Sequence, residues 1–265
     1  MQLENSDEGR IAVTGLALVV TSLLATGAPL SHEQMVAALA TVDSRQRNSG
    51  DYKALAYIEQ KQKDKNDLLY ESVVYRRDED EKLMILILKP KSEAGKGYLR
   101  LDKNLFMYDP TVGKWERRTE RERIGGTNSQ RSDFDQSRLA LDFDPTYVAE
   151  EKLGKYAAHH LSLAAKKGAD VAYPTVEIWL DEDTGNVLKL QEKALSGKLM
   201  RTVYYPAWNK LYSAAKQADV YFPKEIRIFD EIEKGTSTIV VLQRVDLSPL
   251  DKNIFTKAWL ESKSR

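Results

Sequence analysis

Six consecutive apolar residues, Leu83 to Leu88, constrain the fold more than any other stretch of the sequence. The run is strand-length, and successive side chains of a strand point to opposite faces of its sheet, so both faces must be covered here. Further strand-length apolar segments follow as far as Arg118. They are separated by the turn residues Pro90, Gly95, Gly97, Asp109-Pro110 and Gly113. Residues 82–118 therefore predict a β-meander in a strongly curved antiparallel sheet whose concave face encloses a helix, an apolar ligand or both.

Composition narrows the class of protein. The 265 residues are 42% hydrophobic and 30% charged, which suits one domain with a substantial core. Lys plus Arg and Asp plus Glu both number 40, so no overall positive charge favours nucleic acid or another polyanion as partner. The absence of Cys excludes disulfides, thiolate metal sites and thiol nucleophiles.

The N-terminal region predicts export. Ile11 to Leu24 is an apolar run of signal-peptide length, and the small residues of Ala25-Thr26-Gly27-Ala28 follow it. We expect residues 1–28 to be a cleaved signal peptide, residues 29–265 to form a single domain, and the mature chain to be periplasmic. The acidic residues near the start do not fit a positive n-region, and the alternative is an N-terminal core helix.

The first predicted element of the domain is an amphipathic helix. Ser31 and Gln34 match a capping box, and Met35, Val36, Leu39 and Val42 follow at helical spacing. Cationic residues from Arg45 and then Gly50 predict a helix end with a left-handed glycine cap.

The remaining chain is predominantly strand-like. Alternation predicts strands over 52–59, 68–76, 198–205, 223–232 and 236–245, and a hairpin from Val176 to Leu190 that turns at 183–186. Residues 117–131 predict a charged insertion, with short helical pieces over 132–141 and 144–156. The fold class is thus mainly β with helices (α+β), with about ten strands.

Several motifs together carry a resemblance to a known family. They are Val42-Asp-Ser-Arg-Gln-Arg, Lys89-Pro90, Gly97-Tyr-Leu-Arg, Leu105-Phe-Met-Tyr-Asp-Pro, Trp115-Glu-Arg-Arg, Ser132-Asp-Phe and Ile178-Trp-Leu-Asp. From about Ser31 to Leu260 the chain resembles the LolA-like outer-membrane lipoprotein-sorting proteins. The hook-like extra features of the best-known lipoprotein chaperone subgroup have no match, which leaves the cargo open.

The resemblance implies an unclosed β-barrel capped by helices, with an apolar cavity that shelters lipoprotein acyl chains in the periplasm. We expect the following residues to line this cavity or its lid: Phe106, Tyr108, Trp115, Phe134, Leu139, Ile178, Leu188 and Ile226. Trp115 is expected near the rim. The alternative for each residue is that it fills a dry core.

Charged and polar clusters give little support for catalysis. Arg117 and Arg118 could form a polar rim, although neighbouring Glu residues favour a charge-paired loop. Turn chemistry accounts for Asp142, Asp144 and 181–183. His159 and His160 are adjacent and point apart, so neither a two-His metal site nor a Ser-His-Asp arrangement is expected. We expect no enzyme activity, no metal and no cofactor.

Three functional hypotheses remain at this stage. The first is a lipoprotein or lipid carrier, a monomer working with an inner-membrane transporter complex and an outer-membrane acceptor. The second is a binding module for a free lipid or other hydrophobic ligand that serves an inner-membrane transporter. The third, a hydrolase, has the least support.

Overall fold

The computed structural model describes residues 29–101, 104–119 and 121–264; the expected signal peptide lies outside them. These residues form three α-helices, three short 3-10 helices and thirteen strands. The helices are α1 (His32–Gln46), α2 (Leu139–Asp142) and α3 (Lys257–Lys263). The strands are β1 (Asp51–Lys61), β2 (Leu68–Arg77), β3 (Lys82–Lys89), β4 (Gly97–Leu101), β5 (Asn104–Asp109), β6 (Lys114–Arg118), β7 (Phe143–Leu153), β8 (Tyr156–Ala165), β9 (Thr175–Asp181), β10 (Val187–Lys193), β11 (Leu199–Ser213), β12 (Ala218–Asp230) and β13 (Ser237–Asp246).

All thirteen strands belong to one curved, unclosed antiparallel sheet. Its order is β6-β5-β4-β3-β2-β1-β13-β12-β11-β10-β9-β8-β7, so two meanders meet where β1 pairs with β13. The edge strands β6 and β7 are consecutive in the chain. The connection between them, of which the structure describes residues 119 and 121–142, is called the crossing segment below.

The prediction of a mainly β, curved and unclosed sheet is confirmed, but the expected count of about ten strands is wrong. The helical piece expected over 144–156 is instead β7, which pairs with β8. Asp144-Pro145 suggested a helix start. An edge strand tolerates Pro145, however, because the missing N–H faces away from a partner.

Strands β11 and β12 are longer than the alternation predicted. Pro206 lies inside β11, where the pairing with β12 shifts register twice between Tyr204 and Trp208. Where the register shifts, the strand tolerates a proline, which has no backbone N–H to donate to the neighbouring strand.

Helix α1 begins as predicted. The Ser31 hydroxyl accepts from the Gln34 amide at 3.2 Å, and the Ser31 amide donates to Gln34 Oε1 at 2.8 Å. Met35, Leu39 and Val42 are buried against β7 to β10, so the helix packs on one half of the sheet.

The predicted end of α1 is wrong. Its C-cap is Arg47 in an extended conformation, not a left-handed glycine at Gly50. The last carbonyls are satisfied by the β11–β12 turn, where Lys216 Nζ donates to Ser44 O and, at 2.9 Å, to Arg47 O. The Lys216 ammonium group, from a distant part of the chain, thus takes the place of the expected glycine cap at the end of α1.

The apolar run of β3 is covered on both faces from Leu83 to Ile87, whereas its last residue, Leu88, is 38% exposed. Leu83, Ile85 and Ile87 point to the inner face, which the crossing segment covers with Ile124 and Phe134. Met84 and Leu86 point to the outer face. There they pack under the C-terminal residues Ile254, Phe255 and Leu260.

Polar contacts fix the crossing segment across the inner face. The Asn128 amide donates to Gln60 Oε1 and Thr238 Oγ1, both at 2.9 Å, which ties it to β1 and β13. Tyr70 donates to Gly125 O at 2.6 Å. The segment therefore occupies the concave side that a closed barrel would enclose. None of the helices in the described part of the chain combines the length and apolar character needed to cross a bilayer.

Candidate binding cavity

A cavity of about 170 Å³ lies between the crossing segment, the end of α1 and the inner face of β7 and β9 to β11. Its apolar wall comes mainly from the sheet and α2. That wall consists of Leu139, Phe143, Val171, Val176, Val187, Leu190, Tyr205 and Trp208. The crossing segment supplies a polar side, which includes Asp133, Arg138 and Asp142. The cavity can therefore surround an apolar group on one side and meet a polar group on the other.

The volume limits what fits without rearrangement. An apolar cavity of about 150 Å³ is known to hold benzene, whereas pockets for larger ligands occupy roughly 300–1,000 Å³. A second cavity of about 40 Å³ lies beside Phe134, and residues 132, 133 and 135 and Tyr205 border both spaces. Displacement of the crossing segment around Phe134 would merge the two spaces.

Arg201 on β11 fixes the crossing segment to the cavity wall. Its guanidinium donates to both carboxylate oxygens of Asp133 at 2.9 and 2.7 Å, to Glu192 at 2.8 Å and to Gln130 Oε1 at 3.1 Å. Burial raises the pKa of Glu192 despite this neighbour. The buried cation thus joins the segment to β10 and β11.

Asp43 on α1 fixes the other end of the segment. Its carboxylate accepts from Ser137 Oγ at 2.5 Å and from the amides of Leu139 and Ala140, each at 2.8 Å. Burial raises the pKa of Asp43, and these hydrogen bonds oppose that shift. Asp43 therefore caps the start of α2 from another helix, beside the cavity.

The eight expected cavity residues occupy five different environments. Leu139 lines the larger cavity, and Phe134 lines the smaller one while packing in the core. Ile178 and Ile226 are fully buried in packed core clusters. Leu188 lines a groove on the outer face.

Phe106, Tyr108 and Trp115 lie on the outer face beneath the C-terminal helix α3. Trp115 donates its indole N–H to Glu261 at 2.6 Å, and Lys257 lies over the rings of Phe106 and Trp115. These three aromatic residues therefore hold α3 and do not border the cavity.

The expected polar rim lies at the β6 edge. Arg117 is exposed, and Arg118 pairs with Glu116 at 2.7 Å and with Glu122 at 3.5 Å. Neither arginine borders the cavity in the described structure. Arg118 therefore lies in the charge-paired arrangement that its neighbouring Glu residues favoured in the sequence.

Sequence reasoning missed most of the cavity wall. Val176 and Leu190 lie on the same strands as the predicted residues Ile178 and Leu188. Their alternation with Glu177 and Gln191 was the sequence signal that could have identified them as wall residues. Trp208 was missed because β11 was expected to end at Tyr205. Glu192 is the cross-strand neighbour of Arg201, but the other partners, Gln130 and Asp133, lie 71 and 68 residues away and left no local signal.

His160 lies outside the cavity, on the outer face. Its Nδ1 and Nε2 are 2.9 Å from Glu151 and 3.0 Å from Glu177, and its ring stacks on Trp179 at 4.0 Å. Within the described residues, no group of three or more His, Cys, Asp or Glu side chains is arranged to hold a metal ion.

Comparisons with known proteins place this geometry in context. A family model described as "uncharacterized protein" matches residues 79–262. The chain belongs to this family. Comparison with curated protein sequences gives no match.

Solved structures share the fold over most of the chain. A LolA superfamily protein from Nitrosomonas europaea is 21% identical, with a TM-score of 0.71 over 84% of this chain and 97% of that one. An outer membrane lipoprotein-sorting protein domain from Vibrio parahaemolyticus is 15% identical, with a TM-score of 0.75 over 87% and 100%. A DUF1329 family protein from Desulfovibrio piger is 16% identical, with a TM-score of 0.70 over 85% and 96%. The LolA-like resemblance is thereby confirmed for the fold.

Proposed function

We propose that this protein is a periplasmic carrier that shelters the acyl chain of a lipid or lipoprotein between its open sheet and the crossing segment. The observation that carries the proposal is the cavity with one apolar wall and one polar side. Moving an acyl chain out of water is favourable by about 0.8 kcal/mol per methylene, so even a short buried stretch contributes to binding.

The finer proposal is that the cargo is a lipoprotein on its way to the outer membrane. The name of the Vibrio parahaemolyticus neighbour supports this, together with the apolar N-terminal run that resembles an export signal. A free lipid handed to or from an inner-membrane transporter is the second candidate.

Binding at the cavity can be tested with Leu139→Glu. Leu139 lies on the cavity wall and is only partly buried, so the variant should fold. A carboxylate there would face hydrocarbon, which is costly without a partner. We expect the affinity for a fluorescent fatty-acyl probe, titrated against delipidated protein, to fall about tenfold or more, corresponding to at least about 1.4 kcal/mol.

Leu141→Glu on the same helix is the matched control, because Leu141 is 60% exposed. It should leave probe affinity unchanged. Equal affinity of both variants and the wild type would contradict binding in this cavity. Mass spectrometry of material extracted from the purified protein separates the cargoes, since an acylated peptide supports a lipoprotein and a free lipid supports the alternative.

A further inference from the structure

An apolar groove of about 420 Å³ lies on the outer face, behind the cavity wall. Its lining comes from the β7–β8 turn and from β10 to β12. The apolar members are Leu153, Tyr156, Leu188, Tyr204, Tyr205, Pro206 and Phe229. Tyr156, Tyr204 and Phe229 are 37 to 39% exposed, so water reaches several large aromatic surfaces in one place.

Strand alternation separates this groove from the cavity. Val203 and Ile228 point into the inner core, and their neighbours Tyr204 and Phe229 point outward, where their rings meet edge-on at 5.8 Å. On β10 the pairing with β9 shifts register between Val187 and Lys189, and this bulge turns Leu188 to the groove while Leu190 lines the cavity. The two spaces therefore lie on opposite faces of the same three strands.

Tyr205 borders both spaces. Backbone pairing between β10 and β11 ends at Lys189 and Tyr204. Pro206, two residues after Tyr204, has no backbone N–H with which to continue this pairing. Beyond that point the connection from β11 to β10 includes a side-chain bond, from Trp208 Nε1 to Val187 O at 2.9 Å. The wall between groove and cavity thus rests on side chains that can change rotamer.

Two lysines near the groove suit an anionic headgroup. Lys189 Nζ lies 3.9 Å from the centroid of Trp179 and 5.9 Å from that of Tyr204, and Lys155 Nζ lies 5.1 Å from that of Tyr156. Among the described residues neither lysine forms an ion pair within 4.0 Å, and the nearest carboxylates acting on Lys189 are the more distant Glu151 and Glu231. Arg227 at the groove is already paired with Glu225.

We propose that the groove binds the carboxyl-proximal part of a long-chain anionic amphiphile whose methyl end passes Tyr205 into the cavity. The proposal rests on the proposed function, because the same cavity receives the chain end. Lys189 meets the anionic head, the aromatic groove covers the first methylenes, and Tyr205 with Trp208 forms the passage.

Photocrosslinking tests the path with the full chain and two palmitic acid analogues. One carries a diazirine near the carboxylate, and the other carries it at the methyl end. We expect the first to label β11 and β12 at Tyr204 and Phe229, and the second to label Trp208 or Leu190. The paired variant Tyr204→Ser/Phe229→Ser should weaken binding of palmitic acid about tenfold, because both aromatic contacts are lost.

Leu211→Ser/Tyr212→Ser is the matched control, since both side chains are exposed on β11 away from the groove. It should bind palmitic acid as the wild type does. Labelling of cavity residues by both analogues would overturn the groove while leaving the proposed function intact. Labelling of groove residues alone would overturn the passage and the cavity function, and absence of specific labelling would overturn both proposals.

Discussion

Arg201 is the side chain on which the crossing segment depends most. It and Asp133 are both about 5% exposed or less, and they share a two-oxygen ion pair. Arg201→Met leaves buried Asp133 and Glu192 without their cation, so we expect the free energy of unfolding to fall by about 3–5 kcal/mol. Urea denaturation measures the change.

The control for that substitution is Lys210→Met, which removes an exposed, solvent-screened ion pair with Asp219 and should leave the free energy of unfolding nearly unchanged. A loss at Arg201 no larger than the loss at Lys210 would show that the buried cluster does not hold the segment.

The ionisation of Glu177 leads to a prediction of how the stability of the protein changes at low pH. Burial alone would raise its pKa, but hydrogen bonds from Lys193, His160 and Ser162 together lower the pKa below the ordinary value of 4.5. Since the folded pKa is depressed, the stabilisation is complete above about pH 4.5 and is lost as pH falls through the folded pKa.

The melting temperature should therefore fall less steeply below pH 4.5 in Glu177→Gln than in the wild type. Glu116→Gln, on the exposed β6 edge, should keep the wild-type profile. Parallel profiles for all three proteins would contradict a stabilising role of the ionised Glu177.

At the scale of secondary-structure elements, helix α3 packs closely against Gly97. A Cβ added there would lie 2.6 and 2.8 Å from the two terminal methyl carbons of Leu260, which is fully buried. Gly97→Ala should therefore reduce stability by about 1–3 kcal/mol through overpacking, and Leu260→Ala by about 2–5 kcal/mol through a cavity.

The double variant tests whether these two residues share one contact. Removal of the Leu260 side chain makes room for the new methyl group, so the combined loss should be smaller than the sum of the single losses. Chemical denaturation followed by Trp fluorescence supplies all three values. Strict additivity would show that α3 does not rest on Gly97.

For the whole molecule, the sequence predicted local features better than long-range ones. The capping box of Ser31, the β9–β10 hairpin and the covered β3 follow from local pattern, and all occur. The pairing of β1 with β13 and the path of the crossing segment depend on contacts between residues far apart in the chain.

The candidate site was harder to predict than the fold. Of the eight expected residues, only Leu139 lines the larger cavity, because apolar alternation does not tell which face of a curved sheet stays partly empty. Phe106 and Trp115 show the difficulty. Their face is apolar because α3 covers it, and nothing near them in sequence distinguishes a helix from a ligand as the cover.

Locking the crossing segment tests the central claim most directly. Ser137 donates a hydrogen bond to Asp43 across the α1–segment contact, and the sequence has no Cys, so a disulfide formed in Asp43→Cys/Ser137→Cys would be the single crosslink between them. Binding of the fatty-acyl probe is measured on the same variant, oxidised and reduced. The account predicts binding to the reduced protein and little to the oxidised protein, because the cavity of about 170 Å³ cannot enlarge when the segment is fixed. Equal binding in both states would contradict the claim that the acyl chain is held between the segment and the sheet.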